Sequence, residues 1–213
     1  MEQIEKIKEW VSKGKFREAV AETTQALEAD VNPQSIINNA LIPAMEEVGK
    51  RFEAGQAFVP EMLMAARAMK SSLEVIKPHL TSDQNTSLGK VLIGTVKGDL
   101  HDIGKNLVAS MLEGVGFEVI NIGVDVDSEK FIQAIHEHNP DILCMSALLT
   151  TTMTMMETII RDLEKAEVRN KVKVMVGGAP VSRDFALKIG ADGYSDNANS
   201  ASELAKQLVL SKK

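Results

Sequence analysis

Apolar positions in the first eighty residues recur at helical spacing, whereas beyond residue 89 short apolar runs alternate with helical stretches. Ile4, Ile7 and Val11 mark one helical face before Gly14 interrupts it. A second helix is expected over 16–29, with Ala19, Val20, Thr23 and Leu27 on one side. Asn32-Pro33 punctuates the chain, and a third helix should run from Ile36 to about Phe52. Pro43 should kink it, because proline lacks a backbone donor and crowds the preceding turn. Gly55 ends that helix, and Pro60 suits the first turn of a fourth, which runs through Met62, Leu63, Ala66, Met69 and Leu73 towards Pro78. Four helices with short connections predict a small antiparallel bundle.

The polar, aperiodic stretch TSDQNTSLG at 81–89 is the expected linker, so a helical domain over 1–88 precedes a second domain over 89–213. In the second domain KVLIGTV, FEVINIG, DILCMSA, KVKVMVGG and a short run at Gly193-Tyr194 are the expected strands. Helical stretches at Ile103–Glu113, Ser128–His138, about Met153–Ala166, Ser182–Ile189 and Ser200–Leu210 follow them in turn. This alternation predicts an α/β fold with a five-stranded parallel sheet, helices on both faces and the flavodoxin-like strand order. Ligands of such sheets sit at the carboxyl ends of the strands, so function is expected on the loops after strands one, three and four.

Composition narrows the classes. With 44% hydrophobic and 25% charged residues the chain is an ordinary globular protein, and a formal charge of -6 without a basic cluster argues against nucleic acid as a partner. No apolar run approaches the ~18 residues of a membrane span, and the charged N-terminus is no secretory signal. The lone Cys144 cannot form an internal disulfide. A cytoplasmic location is expected.

The loop after strand one, Gly98-Asp99-Leu100-His101-Asp102-Ile103-Gly104-Lys105-Asn106, carries the chemistry. It is open to three interpretations: a plain strand-to-helix turn capped by Asp102, a phosphate loop, or a hydrolytic metal pair at His101-Asp102. No Lys-Ser or Lys-Thr stands in the Walker spacing, and no second His and Asp cluster completes a hydrolytic site.

The same loop contains Asp99-x-His101-x-x-Gly104. Ser146-x-Leu148 ends strand three and Gly177-Gly178 ends strand four. Together these resemble the signature of the cobalamin-binding domain that takes its cofactor with the lower base displaced. The helical segment IPAMEEVGKRFEAGQAFVPEMLMAARAM resembles the cap of corrinoid methyltransferase components, including methionine synthase. Across nearly the whole chain the likeness is to the corrinoid proteins of methanol- and methylamine-type methyltransferase systems.

The resemblance implies a Rossmann-like, flavodoxin-type cobalamin domain behind a four-helix cap. His101 would be the axial cobalt ligand, with Asp99 accepting its second N–H and Thr152, by its offset from Ser146, as the hydroxyl that holds Asp99. Gly98, Asp102, Ile103, Gly104, Ser146, Leu148, Thr150, Gly177 and Gly178 would line the cofactor and its nucleotide tail. Phe58, Val59 and Met62 would cap the corrin. The implied role is that of a carrier without catalytic residues of its own. Cob(I)alamin takes a methyl group from a substrate-specific methyltransferase, methylcob(III)alamin yields it to a second methyltransferase, and a reductive activase restores the reduced state. Proton uptake through Asp99 would assist release of His101.

The resemblance leaves the methyl donor open among methanol, methylamines, betaines and methoxylated aromatics. A cobalamin-dependent sensor, a mutase subunit and a plain flavodoxin-like binding domain are the alternatives; no helix-turn-helix precedes the bundle. The other chemistry-bearing residues have plainer explanations. His136 and His138 lie in a charged helix end, His79 beside the linker, and Cys144 in an apolar strand. Met45, Met62, Met64 and Met69 at helical spacing suit an adaptable core.

Overall fold

The computed structural model describes residues 2–79 and 87–211; the expected linker lies mostly outside them. The chain divides into two compact units, one within Met1–Ser87 and Glu113–Gly116, the other within Leu88–Leu112 and Phe117–Lys213. The helical unit contains α1 (Glu2–Ser12), α2 (Phe16–Glu28), a short α3 (Pro33–Ile36), a π-helical turn (Ile37–Leu41), α4 (Ile42–Glu53) and α5 (Val59–Ile76). With α3, the π turn and α4 continuous, these make the four helices that the periodicity predicts. Their apolar stripes bury Ile7, Val11, Ile36, Leu41, Met69 and Ile76 completely. Each such aliphatic side chain contributes about 1.5–3 kcal/mol of transfer free energy.

The kink expected at Pro43 takes the form of the π turn. The Ile42 N–H donates to the Ile37 carbonyl, five residues back. A proline ring clashes with the carbonyl four residues before it, and the wider turn opens that space without ending the helix. Helix α5 begins as expected, with Pro60 in its first turn and the Phe58 N–H donating to Glu61 Oε2 at 2.9 Å.

In the second unit β1 (Lys90–Thr95), β2 (Glu118–Asn121), β3 (Ile142–Ser146), β4 (Lys173–Gly177) and β5 (Gly193–Tyr194) form a parallel sheet ordered β2-β1-β3-β4-β5. This is the flavodoxin-like order. Helices α6 (Ile103–Gly114), α7 (Ser128–His138), α8 (Thr150–Lys165), α9 (Arg183–Lys188) and α10 (Ala198–Leu210) connect and follow the strands. The central strands are buried almost throughout, as a sheet covered on both faces requires. Leu92, Phe131, Leu143, Ile159, Leu163 and Val174 belong to one continuous core.

The chain order reverses between β1 and β3, the switch point at which such sheets open a crevice. Thr95 is in register with Ser146, and Ser146 with Gly177, so three strand ends form one row there. Two helices of this unit begin earlier than periodicity predicts. Helix α10 starts at Ala198, where Asn197 Oδ1 accepts from the Ser200 N–H at 2.9 Å. Helix α8 starts at Thr150 rather than near Met153, through a contact from outside the helix described below.

Among the described residues no helix is long and apolar enough to cross a membrane. Cys144 lies within β3, and burial pushes its thiol up to about 12. The folded protein should therefore leave a water-soluble aromatic disulfide reagent unreacted at pH 8 and titrate one thiol per chain only in denaturant. Prompt reaction of the native protein would contradict the burial of Cys144.

Candidate functional site

The site is built around one buried carboxylate. Asp99, just past the end of β1, is only 1% exposed. Its Oδ1 accepts from His101 Nδ1 at 2.7 Å and from the His101 backbone N–H at 3.0 Å. Its Oδ2 accepts from the Thr152 hydroxyl at 2.6 Å, the Leu148 N–H at 2.8 Å and, at a longer 3.4 Å, the Leu149 N–H. Burial alone would raise the Asp99 pKa, but the donors from Thr152, Leu148 and His101 outweigh it and hold the group well below the usual carboxylate range. The positive end of the α8 dipole acts in the same direction.

An ionised carboxylate only accepts, so the proton of the neutral imidazole sits on Nδ1 and Nε2 keeps a free lone pair. The His101 side chain is 52% exposed, so the ring is held by its inner nitrogen and open on the other side. The structure thus brings Asp99, His101 and Thr152 together. Thr152 lies in the first turn of α8, and Leu149, at the N-cap position, makes no side-chain cap. Asp99 instead ties the segment entering the helix, through the Leu148 and Leu149 N–H groups, to the Thr152 hydroxyl of the first turn, and so supports the early start.

Further polar residues, not singled out from the sequence, support the loop. The buried Thr95 hydroxyl donates to the His101 carbonyl at 3.0 Å. Lys105 is only 3% exposed, and its ammonium donates to Asn106 Oδ1 at 2.7 Å and Asn121 Oδ1 at 2.8 Å. Burial lowers the Lys105 pKa, partly offset by the nearby Asp102. Asn106 Nδ2 in turn donates to Asp102 Oδ2 at 2.9 Å. Asp125 Oδ1 accepts from the Gly98 N–H at 2.7 Å. Asn121 and Asp125 bring in the end of β2 and the loop after it, which the strand-end expectation left out. The usable sequence signal was the polar Gly123-Val-Asp125 turn.

The glycines separate by cause. A Cβ on Gly178 would fall 1.9 Å from the Ala147 carbonyl oxygen, and its φ of +129° disfavours any side chain, so the fold itself requires glycine there. A Cβ on Gly177 would lie 3.2 Å from the Ser195 carbonyl, whereas one on Gly104 would meet nothing within 4 Å. At Gly104 the protein leaves open space beside the histidine loop. Ser146 is part-buried at the end of β3, and Thr150 is exposed at the start of α8. Leu100 and Ile103 are exposed beside His101, and Leu148 and Leu149 are exposed after β3. In the helical unit Phe58 is 68% exposed, Val59 is partly buried and Met62 is buried, while the neighbouring Leu63 and Met64 are exposed.

These features fit a corrinoid. A half-exposed imidazole offers one nitrogen to a metal. Among the described residues no three His, Cys, Asp or Glu side chains gather to hold an ion. Apolar side chains on the two loops that meet at Asp99 suit a large, mostly hydrophobic ring system. The open side of Gly104 admits a group against the backbone.

Such a switch-point site, with a helical unit upstream, defines a cofactor-binding α/β protein, and comparison with known proteins gives its family. Residues 89–203 match the model of the B12 binding domain, and residues 3–77 match a second model of the same description. Trimethylamine corrinoid protein 2 of Methanosarcina mazei is 47% identical over 179 residues, 83% of this chain and 82% of its own length. The methanol:cobalamin methyltransferase complex MtaBC of Methanosarcina barkeri superposes with a TM-score of 0.86 at 30% identity, covering 98% of this chain and 80% of that one. A cobalamin-binding protein of Desulfitobacterium hafniense superposes with a TM-score of 0.79 at 30% identity, over 96% of this chain and 98% of its own. The chain belongs to the B12-binding family of corrinoid proteins.

Two outcomes test this geometry. Gly178→Ala should cost roughly 2 kcal/mol or more of stability, whereas Gly104→Ala should leave the thermal midpoint of the cofactor-free protein unchanged or slightly raised while weakening cobalamin retention. Equal melting of the two variants would refute the distinction. Asp99→Asn should cost about 1–3 kcal/mol at neutral pH. Because the folded-state pKa of Asp99 is depressed, its contribution is complete above the unfolded carboxyl value of about 3.9 and fades as the pH falls below it. The stability gap between wild type and Asp99→Asn should therefore narrow below pH 4 in denaturant titrations.

Proposed function

We propose that this chain is a methyl carrier in which residues 89–213 hold a corrinoid base-off, with His101 Nε2 as the axial metal ligand. Residues 1–88 serve it as a cap. When bound, the cofactor supplies a cobalt centre that accepts a methyl group from one methyltransferase and yields it to another. The observation that carries this proposal is the Asp99–His101 pair, whose 2.7 Å hydrogen bond at Nδ1 leaves Nε2 unprotonated and accessible.

Each residue then has a bounded task. Asp99 fixes the tautomer and ring orientation and strengthens the imidazole as a donor, while Thr152 and the Leu148 N–H keep Asp99 anionic. Were the ring to take up a proton, it would do so at Nε2, with Asp99 as the counter-ion of the imidazolium. Proton uptake thus works through the pair, with the carboxylate itself unprotonated. Gly98, Asp102, Ile103, Gly104, Ser146, Leu148, Thr150, Gly177 and Gly178 would contact the cofactor and its tail. The exposed Phe58, with Val59 and Met62 behind it, gives the helical unit an apolar surface suited to shielding an alkyl ligand from water.

The relatives named as trimethylamine and dimethylamine corrinoid proteins favour a methylamine as the donor class. The fold shared with the MtaBC complex favours a dedicated substrate methyltransferase as partner, and a second methyltransferase and a reductive activase complete the system. A lone buried thiol suits a reducing cytoplasm.

Absorbance of the protein loaded with hydroxocobalamin tests the ligand assignment. The wild type should show a base-off, histidine-ligated spectrum, and His101→Ala should lose the histidine-dependent bands. An unchanged spectrum in the variant would overturn the assignment. Exchange of a methyl group with a trimethylamine-dependent methyltransferase would separate a carrier from a cobalamin-dependent sensor.

A further inference from the structure

Asp125 stands in the loop between β2 and α7 in a left-handed conformation, φ +54°, which residues other than glycine seldom adopt. It is exposed, yet its carboxylate is committed to the backbone of another loop. Asp125 Oδ1 accepts from the Gly98 N–H at 2.7 Å, and the Asp125 N–H donates to the Asp99 carbonyl at 3.1 Å. One residue thus grips the Gly98–Asp99 segment through an acceptor and a donor. Gly98 itself has φ +81°, so the gripped stretch is a sharp turn rather than a continued strand.

The surrounding bonds hold the grip in place. The Val126 N–H donates to the Thr95 carbonyl, and the Thr95 N–H to the Gly123 carbonyl, both at 3.0 Å. The Asp99 side chain is fixed from the opposite direction, by Thr152 and the Leu148 N–H. A carboxylate held at one end by α8 can aim its other oxygen at the imidazole only if its own backbone is also fixed. Asp125 supplies that second anchor.

We propose that Asp125 is a positioning residue for His101, acting through the backbone of Asp99; the inference rests on the assignment of His101 as axial ligand. Three variants separate its parts. Asp125→Asn keeps a side-chain acceptor and tolerates the left-handed backbone. Asp125→Gly keeps the backbone conformation and loses the acceptor, and Asp125→Ala loses the acceptor and strains the turn.

The cofactor-free protein is compared first, by amide hydrogen exchange at Gly98 and by the ¹⁵N resonances of the His101 ring. Loss of the acceptor in Asp125→Gly and Asp125→Ala should speed exchange at Gly98 by roughly tenfold and move the ring from a pure Nδ1–H tautomer towards a mixture, with Asp125→Asn close to wild type. After loading with hydroxocobalamin, Asp125→Gly should show a smaller histidine-ligated fraction than wild type and Asp125→Asn an undiminished one.

Wild-type ring resonances in Asp125→Gly would overturn the proposal, as would a wild-type histidine-ligated fraction in that variant. Failure of the underlying assignment shows elsewhere, as a cobalamin spectrum that His101→Ala leaves unchanged. The ring resonances of the cofactor-free protein read Asp125 independently of that result.

Discussion

Everything at the switch point depends on keeping a negative charge out of water. A carboxylate buried as deeply as Asp99 is costly unless its lone pairs are filled. The chain fills them from three directions: the Leu148 N–H before α8 with the Thr152 hydroxyl in its first turn, the imidazole of His101, and the His101 backbone. Each donor is itself fixed as a result. The entry to helix α8 is tied to its first turn, and the imidazole is limited to one tautomer. The His101 loop also cannot move without exposing or orphaning the charge. Local order here follows from an electrostatic penalty rather than from packing, which explains how a ring left half exposed can still be well oriented.

The sheet was the most legible part of the sequence, because buried parallel strands read as short apolar runs and five of them alternated with helices. The order β2-β1-β3-β4-β5 and the switch point at Thr95 and Ser146 follow from that pattern. Periodicity could not show where α8 begins, since Thr150 and Thr151 carry no apolar signal and the stabilising contact comes from a residue distant in the chain. Pro43 signals a perturbation of the helix. The form it takes, a widened turn inside an unbroken helix, depends on where the carbonyls before it can go.

The site was legible where a motif named it and illegible where it depends on backbone. Asp99 and His101 stand in the motif that carries the resemblance, and Thr152 follows from it by its offset from Ser146. Thr95 was hidden in a strand run, and Asp125 in a polar turn like many others; both act on main-chain groups that no residue letter encodes. The glycines show the same limit from the other side. Gly104 and Gly178 look equivalent in the sequence, yet the Ala147 carbonyl enforces only the second.

The burial of Cys144 has a further consequence under the proposed role in methyl transfer. A thiolate is among the best acceptors for an alkyl group, and β3 carries this cysteine close before Ser146 at the switch-point edge. With its thiol pushed up to about 12, the sulfur stays protonated at any physiological pH. The protein's own sulfur is thereby kept from alkylation, and in the proposed carrier role a methyl group in transit would be spared a dead end inside the molecule.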